Sequence, residues 1–389
     1  MRIGVLCAVV WWTMSKHKSD SPPLDEPSVR AAVAAARRVV VKVGSSSLAS
    51  AQGGLDSAAL DGLVDALAGE RLRGREVILV TSGAIAAGCE PLGMARRPTD
   101  LAQQQAAAAV GQGLLIARYT QAFARHGITV AQVLVTVADI ARRSSYTNAL
   151  RTFGALTRLG VTPIVNENDT VATREIRFGD NDRLAALVAE LVRASALVLL
   201  SDVDALYTVR PDQPGAALVG YVPRGGVEAD VTQPGGSGLG SGGMSSKIEA
   251  AGLAAAAGIP VVVTSREQVA AALAGEPVGT AFAPSRRSRP RRLHWLADAS
   301  VAQGRLVVDD GAVRALTTTP ASLLAAGIVR VEGSFQAGDP VEVAGLDGSV
   351  VARGLVSLGS DDLSKRLGGH FGREVIHRDD MVLVRKADR

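Results

Sequence analysis

Val40-Val41-Lys42-Val43-Gly44-Ser45-Ser46 is a β-branched run that carries one lysine and closes on a Gly-Ser-Ser turn. It reads as a buried strand. A lysine in such a place is costly unless it meets an anion, the other reading being a strand-end lysine that snorkels to solvent. Outward from it the same signature recurs at 76–81, 128–136, 161–166, 196–202 and 259–264. Between these runs, 56–72, 101–125, 142–159, 181–194 and 247–257 have helical composition and periodicity. Strands alternating with helices on this scale mean an α/β fold: a three-layer αβα sandwich around a mainly parallel sheet. Ligands of such folds gather at the carboxyl ends of the strands. That rule alone singles out residues 42–47, 81–83, 166–169 and the pair Ser201-Asp202.

Composition agrees with a folded globular chain. Its 389 residues suffice for two or three domains, with 47% hydrophobic and only 3% aromatic residues, so the core is built from Ala, Val, Leu and Ile. A net charge of +4 is too mild to argue for nucleic acid by itself. Two cysteines, Cys7 and Cys89, make no disulfide framework and suit a reducing compartment.

The apolar run 3–12 has the length of a signal-peptide core but is too short to span a bilayer, and no small-residue cleavage site follows it. Residues 1–36 are therefore expected to be a disordered or non-essential extension. At the other end, the arginine-rich 285–300 reads as a charged linker, with an RNA or anion patch as its second reading. Beyond it, short strands at 305–308, 328–331, 340–343, 350–355 and 381–384 alternate with turn signals, which makes 301–384 a small β-rich domain.

Segment 235–247, Gly-Gly-Ser-Gly-Leu-Gly-Ser-Gly-Gly-Met-Ser-Ser-Lys, precedes an alanine-rich helical run. Glycines let backbone N–H groups approach a phosphate, a helix N-terminus adds positive dipole, and Lys247 adds a full charge. The spacing is not that of a Walker A loop, and taken alone the segment also fits a flexible linker. Gly179-Asp180-Asn181-Asp182 opens another helix, where either aspartate could serve as an N-cap.

Together, residues 40–46, Val80-Thr81-Ser82-Gly83-Ala84-Ile85-Ala86-Ala87-Gly88, Ile164-Val165-Asn166-Glu167-Asn168-Asp169, 179–182 and 237–247 resemble, in order and close to spacing, the glutamate 5-kinases of the amino-acid kinase family. The resemblance covers about residues 37–384. It implies an amino-acid kinase domain at 37–284, and 301–384 looks like the PUA domain appended to many of these kinases.

The resemblance implies ATP-dependent phosphorylation of the L-glutamate γ-carboxylate to L-glutamyl 5-phosphate, the first step of proline biosynthesis. Matched position by position, it implies Lys42, Asp180 and Lys247 as the catalytic set, with Asp180 orienting both ammonium groups. It places ATP on Lys42, Gly44, Ser45, Ser201, Asp202, Ser241, Gly242, Gly243, Met244, Ser245, Ser246 and Lys247, and glutamate on Ser82, Asp169 and Asn181. Ser201 and Ser246 stand where the family commonly has threonine; each keeps the hydroxyl. Mg2+ is expected with the nucleotide, with no protein ligand assigned. The resemblance further suggests a homo-oligomer with feedback inhibition by proline, while the cysteine usage and the short apolar run make a cytoplasmic protein off the membrane the expectation. Two other functions stay open: an amino-acid kinase with another carboxylate substrate, and a PUA-type RNA-binding protein. RNA is disfavoured because the second domain's only aromatic residues are Phe335 and Phe371, which leaves few stacking platforms.

Overall fold

The computed structural model describes residues 24–48, 54–94, 96–141, 143–171, 181–209, 211–224, 243–285, 302–319, 321–365, 367 and 374–384. The first element is α1 (Glu26–Ala34), followed by β1 (Arg38–Lys42), α2 (Ser57–Leu72), β2 (Glu76–Val80), α3 (Ala84–Cys89) and α4 (Leu101–Ala124). Then come β3 (Val130–Val135), α5 (Val137–Ala141), α6 (Arg143–Arg158), β4 (Thr162–Glu167), α7 (Asn181–Leu191) and β5 (Ala196–Ser201). After the short β6 (Leu206–Tyr207), β7 (Leu218–Val219) and β8 (Tyr221–Val222), the chain forms α8 (Met244–Ala256), β9 (Val261–Ser265), α9 (Val269–Ala274) and β10 (Thr280–Phe282). Eight strands make one sheet in the order β3-β4-β2-β1-β5-β9-β10-β8. Every pairing from β3 to β9 is parallel, and β10 turns antiparallel to β9. The expected mainly parallel α/β sandwich is the observed fold, with strand limits displaced by one or two residues.

Side-chain parity divides the strands between two cores. Val39 and Val41 of β1, Val77 and Leu79 of β2 and Val198 and Leu200 of β5 pack with α1, α2, α4 and α9. Val40, Ile78 and Val80, Leu197 and Leu199 pack on the opposite face with α6, α7 and α8. Successive side chains of a strand point to opposite faces, so Lys42 shares the face of Val40 and meets α7 and α8. By the same parity Thr81 and Asn166, beyond Leu79 and Ile164, turn toward α4. This alternation positions everything described below.

The expected extension at 1–36 needs correction, because residues 24–36 belong to the fold. Asp25 caps α1 by accepting from Ser28 N at 3.1 Å, and Pro27 sits in the first turn, where its missing N–H has no helical partner to lose. Val29 and Val33 are fully buried. The buried Arg30 donates to the carbonyls of Gly220, Glu276, Val278 and Gly279, which pins the helix to the segment entering β10. Residues 1–23 lie outside the described residues, as does all of the 285–300 linker except Ser285.

The carboxyl-terminal unit contains β11 (Gly304–Val308), α10 (Asp310–Thr318), β12 (Leu323–Leu324), β13 (Ile328–Gly333), β14 (Pro340–Ala344), β15 (Val350–Leu355), α11 (Ser360–Ser364), β16 (Glu374–Ile376) and β17 (Met381–Leu383). Its main sheet runs β13-β11-β14-β15-β17. Leu306, Val308, Leu316, Phe335, Val341, Val343 and Ile376 fill its own core. Among the described residues of the whole chain, no helix is long and apolar enough to cross a membrane.

Candidate functional site

Two lysines converge on one carboxylate at the carboxyl end of β1. Lys42 Nζ lies 2.6 Å from Asp182 Oδ1, and Lys247 Nζ lies 3.2 Å from Asp182 Oδ2. Lys42 and Asp182 are wholly buried and Lys247 is 6% exposed. Ser246 Oγ sits 2.8 Å from Asp182 Oδ2 and 2.8 Å from the carbonyl of Gly243, the N-cap of α8. The triad is thus drawn from the last residue of β1 and the first turns of α7 and α8. Helix N-termini carry positive dipole and N–H groups without helical partners, so the place suits an anion such as a phosphate.

Asp182 holds the bridging position that the family resemblance had implied for Asp180. Asp180 itself lies outside the described residues, as do Ser241 and Gly242. Sequence alone fails to separate the two aspartates because the first residue of the helix is not fixed by its pattern. With Asn181 opening α7, Asp182 falls in the first turn on the side facing β1 and α8. A buried lysine needs a buried acid, and that requirement was a legible signal for one of the pair.

A polar network adjoins the triad on the α4 side. Asn181 Nδ2 lies 2.6 Å from the carbonyl of Thr81, 3.0 Å from Ser82 Oγ and 2.8 Å from Asn166 Oδ1. Asn166 Oδ1 also accepts from Glu167 N at 2.9 Å, while its Nδ2 donates to Gln112 Oε1 at 2.6 Å. Thr81 Oγ1 and Tyr119 OH are 2.9 Å apart, and burial pushes the Tyr119 phenol well above its ordinary range. The structure therefore joins Ser82 and Asn181 directly. Asp169 stands in the turn that follows β4, at the same edge of the sheet. Asn166 was singled out only by its place at the carboxyl end of a strand, without a role; Gln112 and Tyr119 were not expected, and only helical spacing in α4 carried a signal for them.

At the end of β5, Asp202 accepts hydrogen bonds from Ser46 Oγ at 2.8 Å and Ser47 Oγ at 3.0 Å, tying the turn after β1 to that strand. Ser201 is buried beside it. A Cβ added at Gly44 would sit 3.7 Å from Lys42 Nζ, so the absence of a side chain keeps the space before that ammonium open. Gly243, Met244, Ser245 and Ser246 lead directly into Lys247 across the first turn of α8.

The amino acid kinase family model matches residues 37–265, and a PUA domain model matches residues 304–378. The chain belongs to the amino acid kinase family. This kinase is 56% identical over 371 residues to a protein of Streptomyces avermitilis named glutamate 5-kinase, covering 92% of this chain and 99% of that one. A glutamate 5-kinase of Thermobifida fusca is 53% identical over 370 residues, covering 92% and 95%. Among solved structures, a carbamate kinase of Giardia lamblia superposes with a TM-score of 0.47 at 17% identity, covering 65% of this amino acid kinase and 100% of that chain.

Proposed function

We propose that the chain is a glutamate 5-kinase, transferring the γ-phosphoryl group of ATP to the γ-carboxylate of L-glutamate and yielding ADP and L-glutamyl 5-phosphate, the first step of proline biosynthesis. The observation that carries this reading is the convergence of Lys42 and Lys247 on Asp182, within reach of Ser82 and Asn181. A carboxylate substrate is ionised at neutral pH, so the nucleophile needs no general base. One γ-carboxylate oxygen attacks the terminal phosphorus, the bond to the bridging oxygen breaks, and that oxygen leaves with the electron pair on ADP. What the protein supplies is alignment and relief of repulsion between two anions.

In this reading Lys42 faces the transferring group, Lys247 meets the phosphates from the other side, and Asp182 holds both ammonium groups in place. Ser82 and Asn181 bind glutamate through hydrogen bonds that add no negative charge, while Asp169 offers a counter-charge to its ammonium. Gly44, Ser45, Ser201, Asp202 and residues 241–246 serve the nucleotide. Mg2+ arrives with ATP in this reading, held largely by phosphate oxygens and water, and no protein ligand is assigned to it. The kinase unit runs from α1 to residue 284 and the PUA-like unit over 301–384. Homo-oligomer formation and proline inhibition extend the same reading.

The test is ADP release in the presence of ATP and Mg2+, with L-glutamate, N-acetylglutamate or aspartate as acceptor, and with proline in a second run. Release dependent on L-glutamate alone is expected. Release that follows N-acetylglutamate or aspartate overturns the substrate assignment. The variant Lys247→Ala is expected to lose about 10²–10³ in kcat, the usual effect of removing one preorganised charge-stabilising donor, with glutamate KM changed only a few-fold. A near-normal kcat in this variant would remove Lys247 from the transfer step.

A further inference from the structure

We propose that Gln112 is a positioning residue for the amino-acid pocket, acting through Asn166 on the amide of Asn181. The inference rests on the glutamate-kinase reading of that pocket and adds a residue that the sequence motifs do not contain. Asn166 is 2% exposed, and its orientation is fixed by a backbone group: the N–H of Glu167 donates to Oδ1. Nδ2 must therefore point the other way, where the Oε1 of Gln112 receives it at 2.6 Å. Oδ1 in turn receives Asn181 Nδ2, which also reaches the Thr81 carbonyl, an acceptor that cannot be anything else. The chain Gln112–Asn166–Asn181 thus has one consistent donor and acceptor order from α4 to the edge of the triad. Deleting the Gln112 acceptor leaves a buried amide donor without its partner, and such a group turns or draws in water to recover one.

The helix that carries Gln112 is itself fixed in register. Gly111 and Gly88 place α4 and α3 backbone against backbone: a Cβ at Gly111 would lie 1.8 Å from the Ala84 carbonyl oxygen, and one at Gly88 would lie 1.8 Å from that of Ala107. Tyr119, two turns beyond Gln112 on the same face, fastens α4 to Thr81 at the end of β2. One face of α4 therefore supports both strand ends that hold Asn181, through Gln112 on Asn166 and Tyr119 on Thr81 rather than through the lysine triad. The expected consequence is selective. Glutamate affinity depends on Gln112, while nucleotide affinity and the transfer step do not.

Steady-state kinetics on the full chain test this, after glutamate-dependent ADP release by the unaltered protein has established the underlying reading. Gln112→Met, close in shape but without the acceptor, is expected to raise glutamate KM about tenfold, with kcat and ATP KM within about twofold. Gln112→Glu restores an acceptor at the same place and should return KM to within about threefold of the unaltered enzyme. In an Asn166→Ala background, Gln112→Met should add nothing, since its effect travels through Asn166. If Gln112→Met does not fold, Gln112→Asn, which withdraws the acceptor by one methylene, takes its place with the same expectation. An unchanged glutamate KM, an equal rise in ATP KM, or effects that multiply in the double variant would overturn the proposal. Absence of glutamate-dependent turnover in the unaltered protein would instead overturn the kinase reading.

Discussion

Asp182→Asn is expected to reduce kcat by at least about 10²-fold and to lower folding stability by about 3 kcal/mol. Both effects come from one geometric fact. Asp182 is the shared partner of Lys42 at 2.6 Å and Lys247 at 3.2 Å, and the first two of these side chains are fully buried. A buried ion pair is of modest net value when complete, because desolvation offsets attraction. Removing one partner is another matter, since a charge is left in low dielectric without compensation. An amide at position 182 keeps the volume and one acceptor oxygen but not the charge that serves two ammonium groups.

The stability and turnover effects separate by measurement. Urea unfolding reports the first, and single-turnover phosphoryl transfer at saturating ATP and glutamate reports the second. ATP or its unreactive analogue should restore part of the lost stability, because its phosphates bring negative charge to the two ammonium groups that the amide no longer compensates. Turnover should not recover in parallel, since the ammonium groups are then placed by the nucleotide rather than by α7. Near-normal kcat in a folded Asp182→Asn protein would show that the lysines keep their alignment without this carboxylate, and the positioning role would fall.

Much of this arrangement was legible in the sequence. The sheet followed from β-branched runs at regular separation; the division into two cores, Val39 and Val41 on one face and Val40 with Lys42 on the other, emerges only when the helices are set on each side. Lys42 and Lys247 announced themselves as charges in apolar or glycine-rich surroundings. Three things were hidden. Helical phase decides between Asp180 and Asp182, and a sequence fixes the start of a helix only loosely. The α1 helix was obscured by its position after a polar stretch, although Asp25, Pro27, Val29 and Val33 carry a cap, a first-turn proline and an i,i+4 apolar pair. Gln112, which receives the Asn166 amide, lies 54 residues away in the chain; it shares a face of α4 with Tyr119, which meets Thr81, and nothing local says which strand end either one reaches.

Glu190 supplies the second large effect, and it concerns pH. This residue lies in the last turn of α7, is 4% exposed, and its Oε1 has no hydrogen-bond partner among the described residues. Burial pushes its carboxyl from the ordinary 4.5 up to about 8. Below pH 4.5 the group is protonated in both folded and unfolded chains. Between 4.5 and 8 the unfolded chain releases the proton and the folded chain keeps it, so the folded state binds more protons and stability falls as pH rises. The loss is complete once pH passes the folded value, and a shift of that size corresponds to roughly 4–5 kcal/mol across the window. Glu190→Gln is neutral at every pH and removes this slope. Urea midpoints measured at pH 5.5 and pH 9 should therefore diverge, with the glutamine variant gaining on the unaltered protein at the higher pH. Other titrating groups are common to both proteins and cancel in the difference. Because Asn181 and Asp182 open the helix that Glu190 ends, the same ionisation loosens the support of the lysine triad, and activity retained after incubation at pH 9 should be higher in the variant. Parallel stability profiles for the two proteins would show that Glu190 is already ionised in the fold.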